Sequence, residues 1–386
     1  MLRIAHISDL HFGVDKNQSE QFKYLCKSIA AAKPDVIVCS GDIIDCPGVL
    51  PNKRLDDAHA KMKELCDLCE LSMDSRFFIT PGNHDIWYKG IGSGSLTKFL
   101  TIFGSFFRRD SQDGAWGKII ANDISLAIVC INTTPKRRLF DSMVYFAKSL
   151  FYFATFNIDK YFVNSSNAAG WARGYVENSE LEQLTEFVAR IRAEKHHNPL
   201  ILVNMHHHPL SHPEKSDQRL YGASELNGVA LENAGVVLER LQANEVDLVL
   251  HGHKHTPFVA EGPCFFSDAQ SRRKFCIVSC GTSCHPKDRP SGKLTWNLVT
   301  VDVSGAVHVN LVEGEGTIFK VAPLPVAVRT NERWSVFKRK PSITVDEFGN
   351  ARTTLQLWVY GSRSGDVKIP MRHRSTAGIV RCYPKL

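Results

Sequence analysis

Long apolar runs are missing from this 386-residue sequence. Its most aromatic stretch, Leu139 to Phe162, holds five Phe between 140 and 156 and three Tyr by 161, but Asp141, Lys148 and Asp159 interrupt it. A bilayer span needs about 20 predominantly apolar residues, so no transmembrane segment is expected. The chain enters a core-type strand at Leu2 without a basic region and apolar run before it, so no secretory signal is expected either. A disulfide framework is also missing. The eleven cysteines are scattered and odd in number, which suits reduced thiols and a cytoplasmic location. Cys66 and Cys69 form a C-x-x-C, and Cys276, Cys280 and Cys284 recur every four residues. Neither set has the second pair that a zinc ribbon requires, so buried or incidental thiols are expected. Gly90 to Gly94 neither follows a strand directly nor opens a Gly-Lys-Ser/Thr sequence, which excludes a P-loop and leaves a flexible loop. Repeats and low-complexity tracts are absent.

Excess charge of one sign is missing from most of the chain. The total is 47 Lys and Arg against 40 Asp and Glu; residues 313–386 hold 13 against 6, which leaves 34 of each sign in residues 1–312. The net charge of +7 therefore sits in the tail. Such asymmetry points to an anionic partner, a nucleic acid or an acidic protein, without choosing between them. Hydrophobic content of 43% and charged content of 23% are those of a soluble globular chain, long enough for one large core and a smaller module.

What is present is an alternation of helix and strand. Ser19 to Ala32 carries Phe22, Leu25, Cys26 and Ile29 at helical spacing, and Pro34-Asp35 ends it. Val36 to Cys39 is a short apolar run of the kind buried in a sheet. Lys53 to Met73 reads as helix and Arg76 to Thr80 as strand. Lys118 to Asn132 reads as adjacent strands, Glu177 to Lys195 as an amphipathic helix, and Pro199 to Met205 as strand. Val229 to Gln242 reads as helix and Val246 to Leu250 as strand, followed by strands near 257–261, 275–280, 294–302 and 306–312. Helix-strand alternation followed by plain strands predicts an α/β fold with two packed sheets flanked by helices. The basic tail, residues 313–386, alternates Leu355, Leu357 and Val359 with Gln356, Trp358 and Tyr360, and predicts a separate β-rich module. The aromatic and basic stretch at about 135–170 is an insertion, either a cover for a greasy or planar ligand or a helix pair packed on the core.

Strand ends in this pattern deliver metal-binding residue types. The opening strand ends at Asp9 and His11, and residues two apart on an extended chain share a face, so a carboxylate and an imidazole can point at one ion. Further along come Gly41-Asp42, Gly82-Asn83-His84-Asp85, Met205-His206-His207-His208-Pro209 and His251-Gly252-His253-Lys254-His255. In open α/β sheets sites gather at such strand ends.

In order and spacing these five motifs resemble those of the calcineurin-like metallophosphoesterases, over roughly residues 1–260. The resemblance implies a four-layer αββα sandwich of two mixed sheets, residues 1–312, with the small β-rich module behind it. It implies two transition metal ions, divalent or mixed-valence, bridged by Asp42. One would take Asp9, His11, Asp42 and His255, the other Asp42, Asn83, His206 and His253. Mixed nitrogen and oxygen donors suit Mn, Fe or Zn. His206 directly follows the apolar strand, but His207 stands one residue nearer Pro209 and is the alternative ligand. His84 is the implied catalytic residue, stabilising the transition state or protonating the leaving oxygen. Asp45 occupies the place from which an acidic residue orients that histidine in some relatives, and could equally cap a helix. The implied reaction is phosphodiester hydrolysis by a hydroxide bridging the metals. The triple His-Pro followed by Leu210, with the short Gly-His-x-His loop, is similar to the cyclic-nucleotide phosphodiesterase branch and implies a small nucleotide-like diester. Ser8 to Gly13 is also close to the opening of DNA-repair exonucleases, which keeps a DNA or RNA nuclease open. The aromatic insertion keeps open a lipid-linked pyrophosphate hydrolase.

Overall fold

The computed structural model describes residues 1–13, 18–45, 51–86, 94–107, 118–121, 124–134, 174–193, 199–210, 231–262, 275–284, 293–315, 317–321, 325–330, 333–345, 351–359 and 367–372. Strand β1 (Leu2–Ile7) is almost wholly buried, and it pairs in parallel with β2 (Val36–Cys39), which pairs in parallel with β3 (Phe77–Ile79). The loop between β1 and β2 is spanned by α1 (Gln18–Ala32), and α2 (Pro51–Leu68) and α3 (Met73–Arg76) lead to β3. Asn83 to Ile86 forms the single turn α4, and Gly94 to Phe107 forms α5. Residues 90–93 of the expected glycine loop lie outside the described residues, and Gly94 itself opens α5, a helix not anticipated from the sequence.

A second sheet begins with β4 (Lys118–Ala121) and β5 (Ile124–Cys130), continues after α6 (Asn178–Ala193) with β6 (Leu200–Asn204), and after α7 (Ala234–Ala243) with β7 (Leu248–His251), β8 (Phe258–Glu261) and β9 (Cys276–Ser279). Its order is β4-β5-β6-β7-β9-β8, parallel from β5 to β9 with an antiparallel strand at each edge. The chain then returns to the first sheet as β10 (Leu294–Val301), antiparallel to β1, and β11 (Val307–Glu315). Strand β12 (Ile318–Val321) turns back on β11, and β13 (Ala327–Thr330), β14 (Arg333–Val345), β15 (Ala351–Val359) and β16 (Val367–Arg372) extend the sheet outward to ten strands.

The alternation along each strand assigns its two faces. On β1, Leu2 and Ile4 face the other sheet while Ala5 and Ile7 face helices; on β6, Leu200 and Leu202 face the other sheet while Ile201 and Val203 face helices. The inter-sheet core also takes Val36, Val38, Ile128, Leu248, Leu250, Val278 and Val299. Outside it, Phe22, Leu25 and Ile29 of α1, Leu55 and Met62 of α2 and Phe99 and Phe103 of α5 cover the ten-stranded sheet. Leu181, Leu184 and Phe187 of α6 and Leu241 of α7 cover the six-stranded one. Removing each such side chain from water contributes roughly 1.5–3 kcal/mol, so the helical spacing read in the sequence becomes the adhesion between layers. The expected αββα sandwich of two mixed sheets is thus the observed architecture, with β strands following it at the C-terminus.

Strand β11 runs through residue 313, and Ala327, Trp334 and Val336 join the inter-sheet core. Buried Arg329 donates to Asp247 Oδ1 at 2.7 Å, tying β13 to the six-stranded sheet. The aromatic stretch 139–162, with the insertion about it, lies outside the described residues. Among the described residues no helix is long and apolar enough to cross a membrane. Cys66 and Cys69 of the C-x-x-C, and Cys276, Cys280 and Cys284, are free thiols.

Candidate metal centre

Both sheets send their parallel strands toward the same end, and the five motifs leave from those ends. Asp9 and His11 follow β1, Asp42 follows β2, Asn83 follows β3, His206 follows β6, and His253 and His255 follow β7. The ten-stranded sheet thus supplies four candidates and the six-stranded sheet three. Five of the seven turn their backbones into the left-handed region: Asp9 (φ 53°), His11 (48°), Asp42 (51°), His253 (76°) and His255 (52°). Such conformations cost of order 1–3 kcal/mol each and persist where the surroundings over-determine them. Here Asp9 N–H donates to Gly41 O and His11 N–H to Asp42 O, both at 3.0 Å, which locks the loops after β1 and β2 together. His253 N–H reaches both carboxylate oxygens of Asp9, at 3.1 and 3.0 Å, and so joins the loops of the two sheets.

Two glycines are dictated by these approaches. Gly82 lies flat against the Asp42 side chain and backbone, and Gly252 against Ser8 and the Asp9 carboxylate; neither has room for a Cβ.

The donor atoms form overlapping sets, among them His206, His207 and His253, and His11, Asp45 and His84. Asp9, His11, Asp42 and His255 offer ligand atoms that all lie within 4.8 Å of one another. Within that set His11 Nε2 is 3.0 Å from His255 Nε2, and His255 Nε2 is 3.3 Å from Asp9 Oδ1. In the second set, of Asp42, Asn83, His206 and His253, His206 Nε2 lies 3.1 Å from Asp42 Oδ2 and 3.1 Å from Asn83 Oδ1, and His253 Nδ1 lies 3.0 Å from the same Asn83 oxygen. These two sets share Asp42, whose Oδ2 is 3.8 Å from His11 Nε2 and 3.1 Å from His206 Nε2.

The protonation logic of the second set fits a cation. His206 Nδ1 donates to the Ser40 carbonyl at 2.6 Å, and a carbonyl only accepts. In the neutral ring Nε2 therefore presents a lone pair, aimed at an amide oxygen and a carboxylate oxygen that also only accept. Three lone pairs converging in a buried pocket need positive charge among them, which a proton or a transition metal ion supplies. The electrostatics agree. Burial opposes charging of His206, but the Asp42 carboxylate outweighs it and raises the imidazole to about 9. Burial likewise opposes ionisation of Asp42, but the neighbouring imidazoles, His206 foremost, hold its carboxyl below the usual range. His11 and His253 are pushed below the ordinary histidine value by burial, which keeps their lone pairs available.

His207 joins this convergence: it groups with His206 and His253, their ligand atoms all within 4.8 Å of one another, so it stays the alternative ligand. It is buried, its Nδ1 is 2.7 Å from the Thr133 hydroxyl, and its Nε2 has no hydrogen-bond partner among the described residues, although its ring lies 4.5 Å from that of His253. His84 is different in kind. Its side chain is 26% exposed while Asp9, Asp42 and Asn83 are buried, its backbone N–H donates to Asp42 Oδ1 at 2.8 Å, and its ring meets that of His11 edge-on at 4.7 Å. Asp45 meets His84 through the backbone: His84 Nδ1 is 2.5 Å from the Asp45 carbonyl oxygen and 3.7 Å from its carboxylate, which also lies 3.8 Å from His11 Nδ1.

Some residues that build the site carried no assigned role in the sequence. Asp85 accepts from Ile43 and Ile44 N–H through Oδ1 and from Gly82 N–H through Oδ2, bracing the backbone beside Asp42 and Asn83. Its carboxyl rises to about 7, through burial first and then the Asp42 charge. Thr282 donates to the Asp9 carbonyl at 2.8 Å. Asp85 was visible as the last residue of Gly-Asn-His-Asp; Thr282 had no signal of its own.

A two-sheet sandwich that brings carboxylate, amide and imidazole donors into two sets around one shared carboxylate defines a metal-dependent phosphoester hydrolase. The chain belongs to the calcineurin-like phosphoesterase family, whose model matches residues 2–257. Among curated proteins it is similar to the DNA polymerase II small subunit of Thermoplasma acidophilum, 30% identical over 94 residues; the match covers 21% of this chain and 19% of that protein, so the chain spans about a fifth of that relative's length. Among solved structures it is similar to a dimetal phosphatase from Danio rerio, 12% identical, covering 83% of this chain and 98% of that one at a TM-score of 0.48. The NAD nucleotidase of Haemophilus influenzae is 11% identical, covering 91% of this chain and 53% of that one at a TM-score of 0.38.

Proposed function

We propose that the chain is a two-metal phosphodiesterase that hydrolyses a small nucleotide-like diester. The observation that carries this reading is the placement of Asp42, one carboxylate oxygen of which faces both His11 and His206. Asp9, His11, Asp42 and His255 would hold one cation, and Asp42, Asn83, His206 and His253 the other; Mn, Fe and Zn suit this donor set. When bound, the two cations supply an activated water and charge stabilisation for the phosphoryl oxygens.

The chain's own residues do the rest. Asp42 is shared, Asn83 donates a neutral oxygen that limits the negative charge facing an anionic substrate, and His206 is fixed in one tautomer by the Ser40 carbonyl. His84, partly exposed, keeps its Nδ1 engaged with the Asp45 carbonyl, and Nε2 is the nitrogen that would meet a substrate oxygen. It serves to protonate the leaving oxygen or to neutralise charge on it. The choice of a small diester draws on the charge balance of residues 1–312 and on the His-His-His-Pro and Gly-His-x-His loops.

A second reading, action on DNA or RNA, draws on the relative named as a DNA polymerase small subunit and on the basic residues of 313–386, which we retain as a candidate module for a nucleic acid or an acidic protein. The lipid-linked reading depended on the aromatic insertion, outside the described residues. A cytoplasmic location is supported by the free thiols of the eight described cysteines.

A screen of Mn(II)-loaded protein against bis(p-nitrophenyl) phosphate, p-nitrophenyl phosphate, cyclic nucleotides and single-stranded DNA tests the choice. The diester and at least one cyclic nucleotide should turn over faster than the monoester. Preferential cleavage of single-stranded DNA would favour the second reading, and preferential cleavage of the monoester would remove both.

A further inference from the structure

The apolar face that each sheet turns toward the other ends, just below the metal centre, in four polar side chains. His6 takes the inward position after Leu2 and Ile4 on β1, and Ser40 the one after Val36 and Val38 beyond β2. Asn204 follows Leu200 and Leu202 on β6, and Asn297 precedes Val299 and Val301 on β10, where it pairs with His6. All four are buried. Polar groups in such a place are costly unless every one is bonded.

They form one directed chain. Asn297 Nδ2 donates to His6 Nδ1 and to the Ser279 carbonyl, each at 3.2 Å. With Nδ1 accepting, the neutral imidazole carries its proton on Nε2, which donates to Ser40 Oγ at 2.8 Å. The Ser40 hydroxyl donates to Asn204 Oδ1 at 2.6 Å, and Asn204 Nδ2 donates to the Cys39 carbonyl at 2.9 Å. The chain therefore runs from β9 and β10 through β1 and β2 to β6, crossing from one sheet to the other. Its central member, Ser40, supplies from its backbone the carbonyl that holds His206 Nδ1, and its last side chain, Asn204, ends β6 two residues before His206.

We propose that His6, Ser40, Asn204 and Asn297 are positioning residues for the metal centre. They lock the two sheets in the one relative placement that brings donors from both together, and they hold the Ser40 carbonyl where it fixes the His206 tautomer. An apolar set of the same volume would fill the core but leave the sheets free to settle differently, because hydrophobic contact is non-directional. The inference rests on the reading of His206 as a ligand of the second cation. Losing a partner behind a metal-binding histidine typically lowers metal affinity 10–100-fold.

The test uses the full chain. Metal-free protein is titrated with Mn(II), with the free ion followed by electron paramagnetic resonance, and thermal midpoints are recorded on the same samples. Wild type should bind two ions. Ser40→Ala, which removes the hydroxyl but keeps the carbonyl, should weaken one site at least tenfold and the other by less than threefold. Leu184→Ala, a cavity under α6 far from the chain, should lower the thermal midpoint at least as much and leave both affinities at wild-type values. Should Ser40→Ala not fold, Asn297→Ala, at the remote end of the chain, should weaken the same site by about threefold. Wild-type affinities in a folded Ser40→Ala protein, or equal losses at both sites in Ser40→Ala and Leu184→Ala, would overturn the proposal. A wild-type chain that binds fewer than two ions would instead overturn the two-metal reading beneath it.

Discussion

At the scale of single residues, Asp42 matters most, because its Oδ2 faces both His11 and His206. Asp42→Asn keeps the shape but replaces a shared anion with a neutral amide, so hydrolysis of bis(p-nitrophenyl) phosphate should fall by at least about 10³-fold and bound metal by at least one ion per chain. Metal analysis beside steady-state kinetics reads both. His84→Ala should retain its metals. If the residue protonates the leaving oxygen, the rate loss should be about 10²-fold or more for an alkyl ester and much smaller for the p-nitrophenyl ester, whose leaving group needs little help. Equal losses would assign His84 to charge stabilisation instead. The buried imidazoles also set a pH dependence in the metal-free protein. Burial holds His6 near 3 and pushes His11, His207 and His253 below 6.5. The unfolded chain binds these protons first as the pH falls, so stability should drop as pH goes from about 6.5 toward 3. His206 works the other way: raised to about 9, its contribution is present below 6.5 and is lost as pH rises through 9. Thermal midpoints of chelator-treated protein should therefore be lower at pH 5.5 and at pH 9.5 than at pH 7.5. A midpoint still rising at pH 5.5 would contradict this balance.

At the scale of elements, the loops matter more than the strands that carry them. The strands were legible because their apolar runs are short and unbroken, as in Val36 to Cys39, and helices α1 and α6 because Phe22, Leu25 and Ile29, or Leu181, Leu184 and Phe187, recur at helical spacing. The motifs at the strand ends were legible because few other positions need Asp, Asn and His in that order. Helix α5 escaped because its first turn is Gly94-Ser95 and its apolar residues are too many to define one face. The inter-sheet hydrogen-bond chain escaped for another reason: His6, Ser40, Asn204 and Asn297 each look like a single interruption of a strand, and only pairing of distant strands makes them one network. Loop geometry gives its own prediction. Gly252→Ala puts a methyl group where Ser8 and the Asp9 carboxylate lie, so it should displace Asp9 and lower metal affinity at least tenfold while the fold is kept. Mn(II) titration with a circular dichroism spectrum checks this, and unchanged affinity would show that the loop yields without moving Asp9.

At the scale of the whole molecule, the C-terminal strands are continuous with the catalytic sandwich. Trp334 and Val336 pack between the sheets, and Arg329 meets Asp247 beneath them. The positive charge of 313–386 was legible by counting, but the pairing of β13 with β11 was not, because nothing in Ala327 to Thr330 names its partner. Trp334→Ala should lower unfolding free energy by about 3–5 kcal/mol, read from urea midpoints, as for other large truncations in a packed core. A change under about 1 kcal/mol would show that the tail folds apart from the sandwich. The central claim, a two-metal phosphodiesterase, is tested most directly by chelating the intact protein, counting its metals and following bis(p-nitrophenyl) phosphate hydrolysis as Mn(II) is returned. Activity should vanish on chelation and reappear as occupancy approaches two ions per chain; undiminished turnover by the metal-free protein would contradict the account.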